Sequence, residues 1–136
     1  MTSNIFKLIR KFDLAEAVVF SGFVSDEELS ALYRSAALFC YPTFDEGFGL
    51  PVLEAMACGC PVVTSGIPAI REVGGEVPIY IDPKSIQSIA SALREVAENR
   101  HSRENMARRG IERARKFSWD RAALDVFKVM DTIIQH

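Results

Sequence analysis

The sequence predicts an α/β fold, a parallel sheet doubly wound by helices within one domain, and three observations carry that prediction. Apolar, β-branched runs alternate with helical patterns, the order expected of right-handed crossovers between parallel strands. The run AALFCYP is apolar without alternation, as strands covered on both faces are. Glycine and proline mark the boundaries, at Gly22, Pro42, Gly59 and Pro61.

Each element has its own justification. Ile5, Leu8, Ile9 and Phe12 stand at offsets 0, 3, 4 and 7, the stripe of an amphipathic helix, with Thr2 or Ser3 as its cap. AVVFSG reads as a strand over 18–21 that stops at Gly22. In VSDEELSALYRSA, Ser25 caps a helix, Glu28 reaches back to complete a capping box, and Val24 and Leu29 staple the entry. AALFCYP is the next strand, over 37–41. LPVLEAMACG reads as a short helix, with Pro51 in its first turn, Gly59 at its end and Pro61 barring continuation. CPVVTSG and VPIYID supply two more strands. Three helices close the chain: one with its face at Ile86, Ile89, Ala90, Leu93 and Ala97; one marked by Met106, Ala107, Ala114 and Phe117; and a last one capped by Ser118, with a stripe from Trp119 to Ile134.

Composition narrows the function. With 136 residues, 49% hydrophobic and 25% charged, the chain can bury a real core. A net charge of −2 supplies no global field to recruit nucleic acid or acidic lipid. No apolar run approaches the roughly 20 residues needed to span a bilayer, and MTSNIFKLIRKF lacks the unbroken apolar centre of a secretion signal. Cys40, Cys58 and Cys60 have no Cys or His pair nearby to complete a zinc site, and His101 and His136 stand far off. We expect reduced thiols, no metal and a cytoplasmic protein.

The stretch FDEGFGLPVLEAMACGCPVV, residues 44–63, carries the chemistry. Ligands of open parallel sheets settle beyond the carboxyl ends of strands, and 43–50 lies there. Gly47 and Gly49 let a backbone approach a ligand, and the free N–H groups near Gly49, Leu50 and Val52 sit at a helix start, where the dipole favours phosphate. Carboxylates accept hydrogen bonds from sugar hydroxyls. Glu54, about one turn into the helix, suits ribose hydroxyls, and Glu46, in the loop, suits a second sugar beyond the phosphates. The ordinary alternative is a solvated loop glutamate and a helix-stabilising one, and Gly-x-Gly alone is weak.

The stretch from Tyr41 to Gly66, YPTFDEGFGLPVLEAMACGCPVVTSG, resembles the signature of retaining, nucleotide-sugar-dependent glycosyltransferases of the two-domain GT-B type, the group 1 family. That signature is two glutamates with seven residues between them, Gly-Phe-Gly-Leu-Pro after the first, then Ala-x-Gly-x-Pro-Val-Val. VVFSGFVSDEELSALYRSAALFCYP before it, and IREVGG, IYIDP and ARKFSWDRAA after it, are similar to the family too. The resemblance implies a Rossmann-like sheet and a sugar-nucleotide donor as substrate, with no cofactor and no metal. It implies that Glu46 contacts the donor sugar near the reacting carbon, that Glu54 holds the ribose, that the backbone at Phe48, Gly49 and Leu50 cradles the diphosphate, and that Gly22, Phe23 and Val24 line the base. It further implies transfer with retention, to a saccharide or lipid-linked acceptor bound by an N-terminal domain.

The family's Gly-Arg-x-x-x-x-Lys element does not stand before Val18. We therefore expect residues 1–136 to be one partial nucleotide-sugar-binding domain, lacking the acceptor domain and the first strands, a truncated product or an excised piece that binds donor weakly and turns over little. The strands at 18–21 and 37–41 are then expected to pair directly, or to recruit a neighbour through exposed sheet edges. Peripheral membrane contact is a further expectation, since many acceptors lie at membranes. A rival reading is an anion- or nucleic-acid-binding module, because residues 94–121 hold nine basic against five acidic residues, an excess of +4. A solvated face with intrahelical pairs is the ordinary explanation of that run, and no aromatic interleaving suggests base stacking, so no nucleic-acid partner is expected. A receiver-type signalling domain is rejected, for its acidic pair and its later aspartate are missing.

Overall fold

The computed structural model describes residues 2–134, without the side chains of Thr2 and Ser3, so the proposed cap of the first helix and His136 lie outside the described residues. Seven helices and three strands are present among them. They are α1 (Thr2–Lys11), α2 (Asp26–Ser35), β1 (Phe39–Tyr41), α3 (Leu50–Ala57), β2 (Val62–Ser65), α4 (Pro68–Gly74), β3 (Ile79–Ile81), α5 (Ile86–Glu98), α6 (Arg100–Ala114) and α7 (Trp119–Ile134). The sheet is parallel throughout in the order β1-β2-β3, with Phe39 opposite Val62 and Val63 opposite Ile79.

β2 is buried along its whole length, and its two faces divide the core. On one side Val62 packs with Val52, Ala55 and Met56 of α3, Ile70 and Val73 of α4, and Tyr33 of α2. On the other, Val63 meets Ile81 of β3, Ala92 and Val96 of α5, and Met106 of α6. The local signals in the sequence hold where their partners are near in the chain. The Ser25 hydroxyl accepts from Glu28 N–H at 3.3 Å while the Glu28 carboxylate accepts from Ser25 N–H at 2.8 Å, closing the capping box. Ser118 caps α7, its hydroxyl accepting from Arg121 N–H at 3.2 Å.

Four expectations are corrected. Residues 18–21 form no strand and do not pair with β1; Val19 is 88% and Phe20 58% exposed. A strand is defined by its partner, and β1 is bonded on the β2 side alone. Phe20 lies instead on α1, 5.2 Å from the Phe6 ring. Secondly, β1 is only half-buried along its three residues, not covered on both faces, because its outer edge has no neighbour. Thirdly, α4 was not anticipated: seven residues are too few to show a helical period. Fourthly, the inward face of α5 is Ile89, Ala92, Leu93 and Val96, with Ile86, Ala90 and Ala97 exposed.

The stripe of α7 exists, yet none of its residues is buried. Helix α1 is similar, with Ile5, Phe6 and Leu8 exposed, as is Phe12 just beyond its end, and both helices make at most marginal contact with other elements. The chain's accessible surface is 10109 Å² for 15.1 kDa. A compact monomer of that mass exposes about 7,100 Å². Exposed apolar residues of α1, of residues 12–23 and of α7 contribute to that excess.

The basic face of α6 turns out to be internal wiring. Arg113 donates from Nε to the Val73 carbonyl at 2.9 Å and from its terminal nitrogen to Glu72, over the Phe117 ring. Arg109 reaches the Glu76 carbonyl at 2.8 Å, and Arg103 reaches those of Val96 and Ala97. Arg113 and Arg103 satisfy orphan carbonyls at the ends of α4 and α5 and complement their dipoles, while Arg109 satisfies one in the turn after α4. Arg100 and Arg108 pair with Glu104 and Glu112 one turn on. The carbonyl contacts remove much of the reason for reading the face as a docking site for nucleic acid. Arg113→Met is expected to cost about 1.5–3 kcal/mol, since charged donors would leave half-buried carbonyls unpaired. Urea denaturation at neutral pH measures it.

Candidate functional site

The site is the loop from Pro42 to Gly49, beyond the carboxyl end of β1, together with the first turns of α3. β1 delivers Tyr41 in register with Thr64, whose hydroxyl donates to the Tyr41 carbonyl at 2.8 Å. The loop then folds on itself. Thr43 Oγ1 donates to the Asp45 carbonyl at 2.7 Å and accepts from Asp45 N–H at 3.3 Å, and Glu46 N–H donates to Asp45 Oδ1 at 3.0 Å. Glu46 ends half-buried, with its Oε2 accepting from the Tyr41 hydroxyl at 3.1 Å.

Gly49 is the residue before α3 and has φ +96 and ψ 37, a conformation that favours glycine. It is buried against α4, and a Cβ placed there would lie 2.7 Å from Ile70 Cδ1. This tight seat turns the chain so that α3 starts at once. The N–H groups of Gly47, Phe48, Gly49 and Leu50 have no hydrogen-bond acceptor among the described residues. That of Val52, expected free, donates to the Gly49 carbonyl at 3.1 Å, a correction that moves the free donors two residues earlier. Pro51, with no N–H, follows in the first turn. The entrance has apolar walls, with Phe48 edge-on to Phe117 at 6.2 Å, but Phe48 and Leu50 remain 44% and 43% exposed.

Glu54 is exposed on α3 with no side-chain partner among the described residues. It is felt by Tyr33, whose hydroxyl is pushed up to about 12, first by burial and then by the negative charge of Glu54. Tyr33 packs edge-on to Phe39 at 5.1 Å, and Phe39 stacks on Tyr41 at 5.7 Å. One aromatic row thus runs from the neighbourhood of Glu54 to the hydroxyl that holds Glu46. The sequence reading missed Tyr41, whose position at the end of an apolar strand, five residues before a loop carboxylate, was its only signal. Gly22, Phe23 and Val24 lie before α2; Gly22 has φ +66, Phe23 is 98% exposed and Val24 is half-buried. No recorded hydrogen bond or ring contact joins these three to the Glu46–Glu54 loop.

A family profile described as glycosyl transferases group 1 matches residues 1–113. The chain belongs to that family. Among curated group 1 relatives, the O-antigen chain mannosyltransferase B of Escherichia coli is 42% identical over 99 residues, covering 73% of this chain and 26% of the relative. The MMP alpha-(1->4)-mannosyltransferase of Mycolicibacterium hassiacum is 34% identical over 132 residues, 94% of this chain and 32% of the relative. Among solved structures, sucrose-phosphate synthase from Thermosynechococcus elongatus superposes with a TM-score of 0.86 at 26% identity, over 98% of this chain and 34% of that one. This group 1 chain therefore spans about a third or less of the length of each of these three. No helix among its described residues is long and apolar enough to cross a membrane.

Proposed function

We propose that this chain is the sugar-nucleotide-binding part of a glycosyltransferase that moves a hexose from a nucleoside-diphosphate donor to a saccharide or lipid-linked acceptor, with retention of configuration. The observation that carries the reading is the row of unbonded main-chain N–H groups at residues 47–50, ahead of α3, flanked by Glu46 and Glu54. Such donors at a helix start receive phosphate oxygens. Glu54 accepts the ribose hydroxyls and Glu46 a hydroxyl of the donor sugar, while Gly22, Phe23 and Val24 border the base. Two of the relatives are named as mannosyltransferases, which supports a hexose as the group transferred.

The chemistry asks mainly for placement and charge. As the bond from sugar to phosphate breaks, the anomeric carbon becomes cationic and the diphosphate gains charge. The α3 dipole and the main-chain donors stabilise the leaving group, and Glu46 holds the sugar and favours its cationic character. The incoming hydroxyl arrives on the face the phosphate leaves. Metal is not part of the scheme. Free thiols at Cys40, Cys58 and Cys60, together with a donor of this class, support a cytoplasmic setting for the reaction. The acceptor is held by sequence outside residues 1–136, which act as one donor-binding unit.

The test is ligand-observed NMR on the chain with GDP, UDP, GDP-mannose and UDP-glucose as probes. Binding is expected at roughly millimolar levels, since in this scheme main-chain donors rather than a charged side chain meet the diphosphate. Glu54→Ala should weaken the preferred nucleotide and its sugar form alike, by about tenfold, since the ribose is common to both. Equal binding by the variant would remove Glu54 from the site, and no binding of any probe to the wild-type chain would end the reading.

A further inference from the structure

We propose that Tyr41 is the positioning residue for Glu46: its hydroxyl holds one carboxylate oxygen so that the other meets the donor sugar. The proposal deepens the donor-site reading and rests on it. A glutamate in a loop ordinarily samples many rotamers and loses that freedom when it engages a ligand. Here the freedom is already restricted, because Oε2 accepts from the Tyr41 hydroxyl at 3.1 Å. Oε1 has no partner among the described residues and remains available to a sugar hydroxyl.

The donor itself is fixed from three sides. The Tyr41 carbonyl accepts from Thr64 Oγ1 at 2.8 Å and from Thr43 N–H at 3.0 Å. Its ring lies nearly parallel to Phe39, at 16° and 5.7 Å, and Phe39 is set edge-on against the buried Tyr33. Backbone, ring and hydroxyl therefore have one arrangement, and Glu46 inherits it. The contact also marks the phenol: burial raises its pKa first, and the hydrogen bond and charge of Glu46 raise it further. A positioned acceptor of this kind loses less entropy on binding, the general basis of preorganisation.

Tyr41→Phe keeps the ring stack and removes only the hydroxyl. With the wild-type chain, GDP-mannose or UDP-glucose is expected to bind more tightly than the matching GDP or UDP, through the sugar contact of Glu46. In the variant that preference should fall by about threefold to tenfold, while affinity for the bare nucleotide stays within about twofold. Independently of any ligand, 13C-tyrosine NMR of Glu46→Gln should show Tyr41 ionising at lower pH than in the wild-type chain, because the carboxylate that favoured the protonated phenol is gone. An unchanged preference in Tyr41→Phe, or an equal loss for GDP and GDP-mannose, overturns the positioning role while leaving the donor site standing. An unchanged Tyr41 titration in Glu46→Gln overturns the contact itself. A wild-type chain that binds none of the four probes overturns the donor-site reading, and the positioning role with it.

Discussion

Gly49→Ala is expected to destabilise the chain by about 2–5 kcal/mol and to abolish nucleotide binding at probe concentrations that saturate the wild type. Two costs add. An L-residue forced into this left-handed conformation loses about 1–2 kcal/mol. The new Cβ would also stand 2.7 Å from Ile70 Cδ1. Ile70 is fully buried and cannot swing aside, so the overlap is relieved by displacing α4 or the loop, at about 1–3 kcal/mol. Either displacement moves the unbonded N–H groups at 47–50 away from a common anion. Chemical denaturation gives the first quantity and nucleotide titration the second. A variant as stable as the wild type would show that this seat relaxes freely.

Met56→Ala is expected to cost about 2–5 kcal/mol, the range for deleting a fully buried side chain of this size. Met56 has no exposed surface and stands where α3 meets α6. A Cβ at Gly110 of α6 would lie 3.4 Å from both its Cβ and its carbonyl oxygen, so the two backbones approach closely there. Such a contact leaves little room to collapse around a cavity. Met56→Leu, which nearly conserves volume, should cost less than about 1.5 kcal/mol. Thermal and urea unfolding of the pair measure the difference. On the proposed function α3 follows the donor-binding turn, so Met56→Ala should also weaken nucleotide binding through a loosened helix, whereas Met56→Leu should not.

The particular residues explain which parts of the molecule were legible. Ser25 with Glu28, and Ser118 with Arg121, were readable because each partner lies three residues away and local chain geometry brings the pair together. Glu46 and Glu54 could be singled out as candidates because they flank a helix start beside glycines and because the motif around them resembles a family signature. Tyr41 was not readable. Its hydroxyl meets Glu46 only after the Thr43–Asp45 turn has reversed the loop, and the ring is aimed by Phe39 and Tyr33, which the strand and α2 bring alongside.

Residues 18–21 and α7 teach the complementary lesson. AVVFSG has the composition of a strand, and the stripe of α7 has the spacing of a buried helix, yet the first is unpaired and the second unburied. Composition and period report what a segment can do; pairing and burial depend on what stands next to it. By itself, the sequence determined the order of most elements, the caps within reach of one turn and the placing of Glu46 and Glu54 on either side of one helix start, because those follow from interactions between residues close in the chain. Only the tertiary structure decided which faces are covered, where the arginines of α6 are committed and how the Glu46 carboxylate is held, because those depend on contacts between segments the chain brings together only on folding.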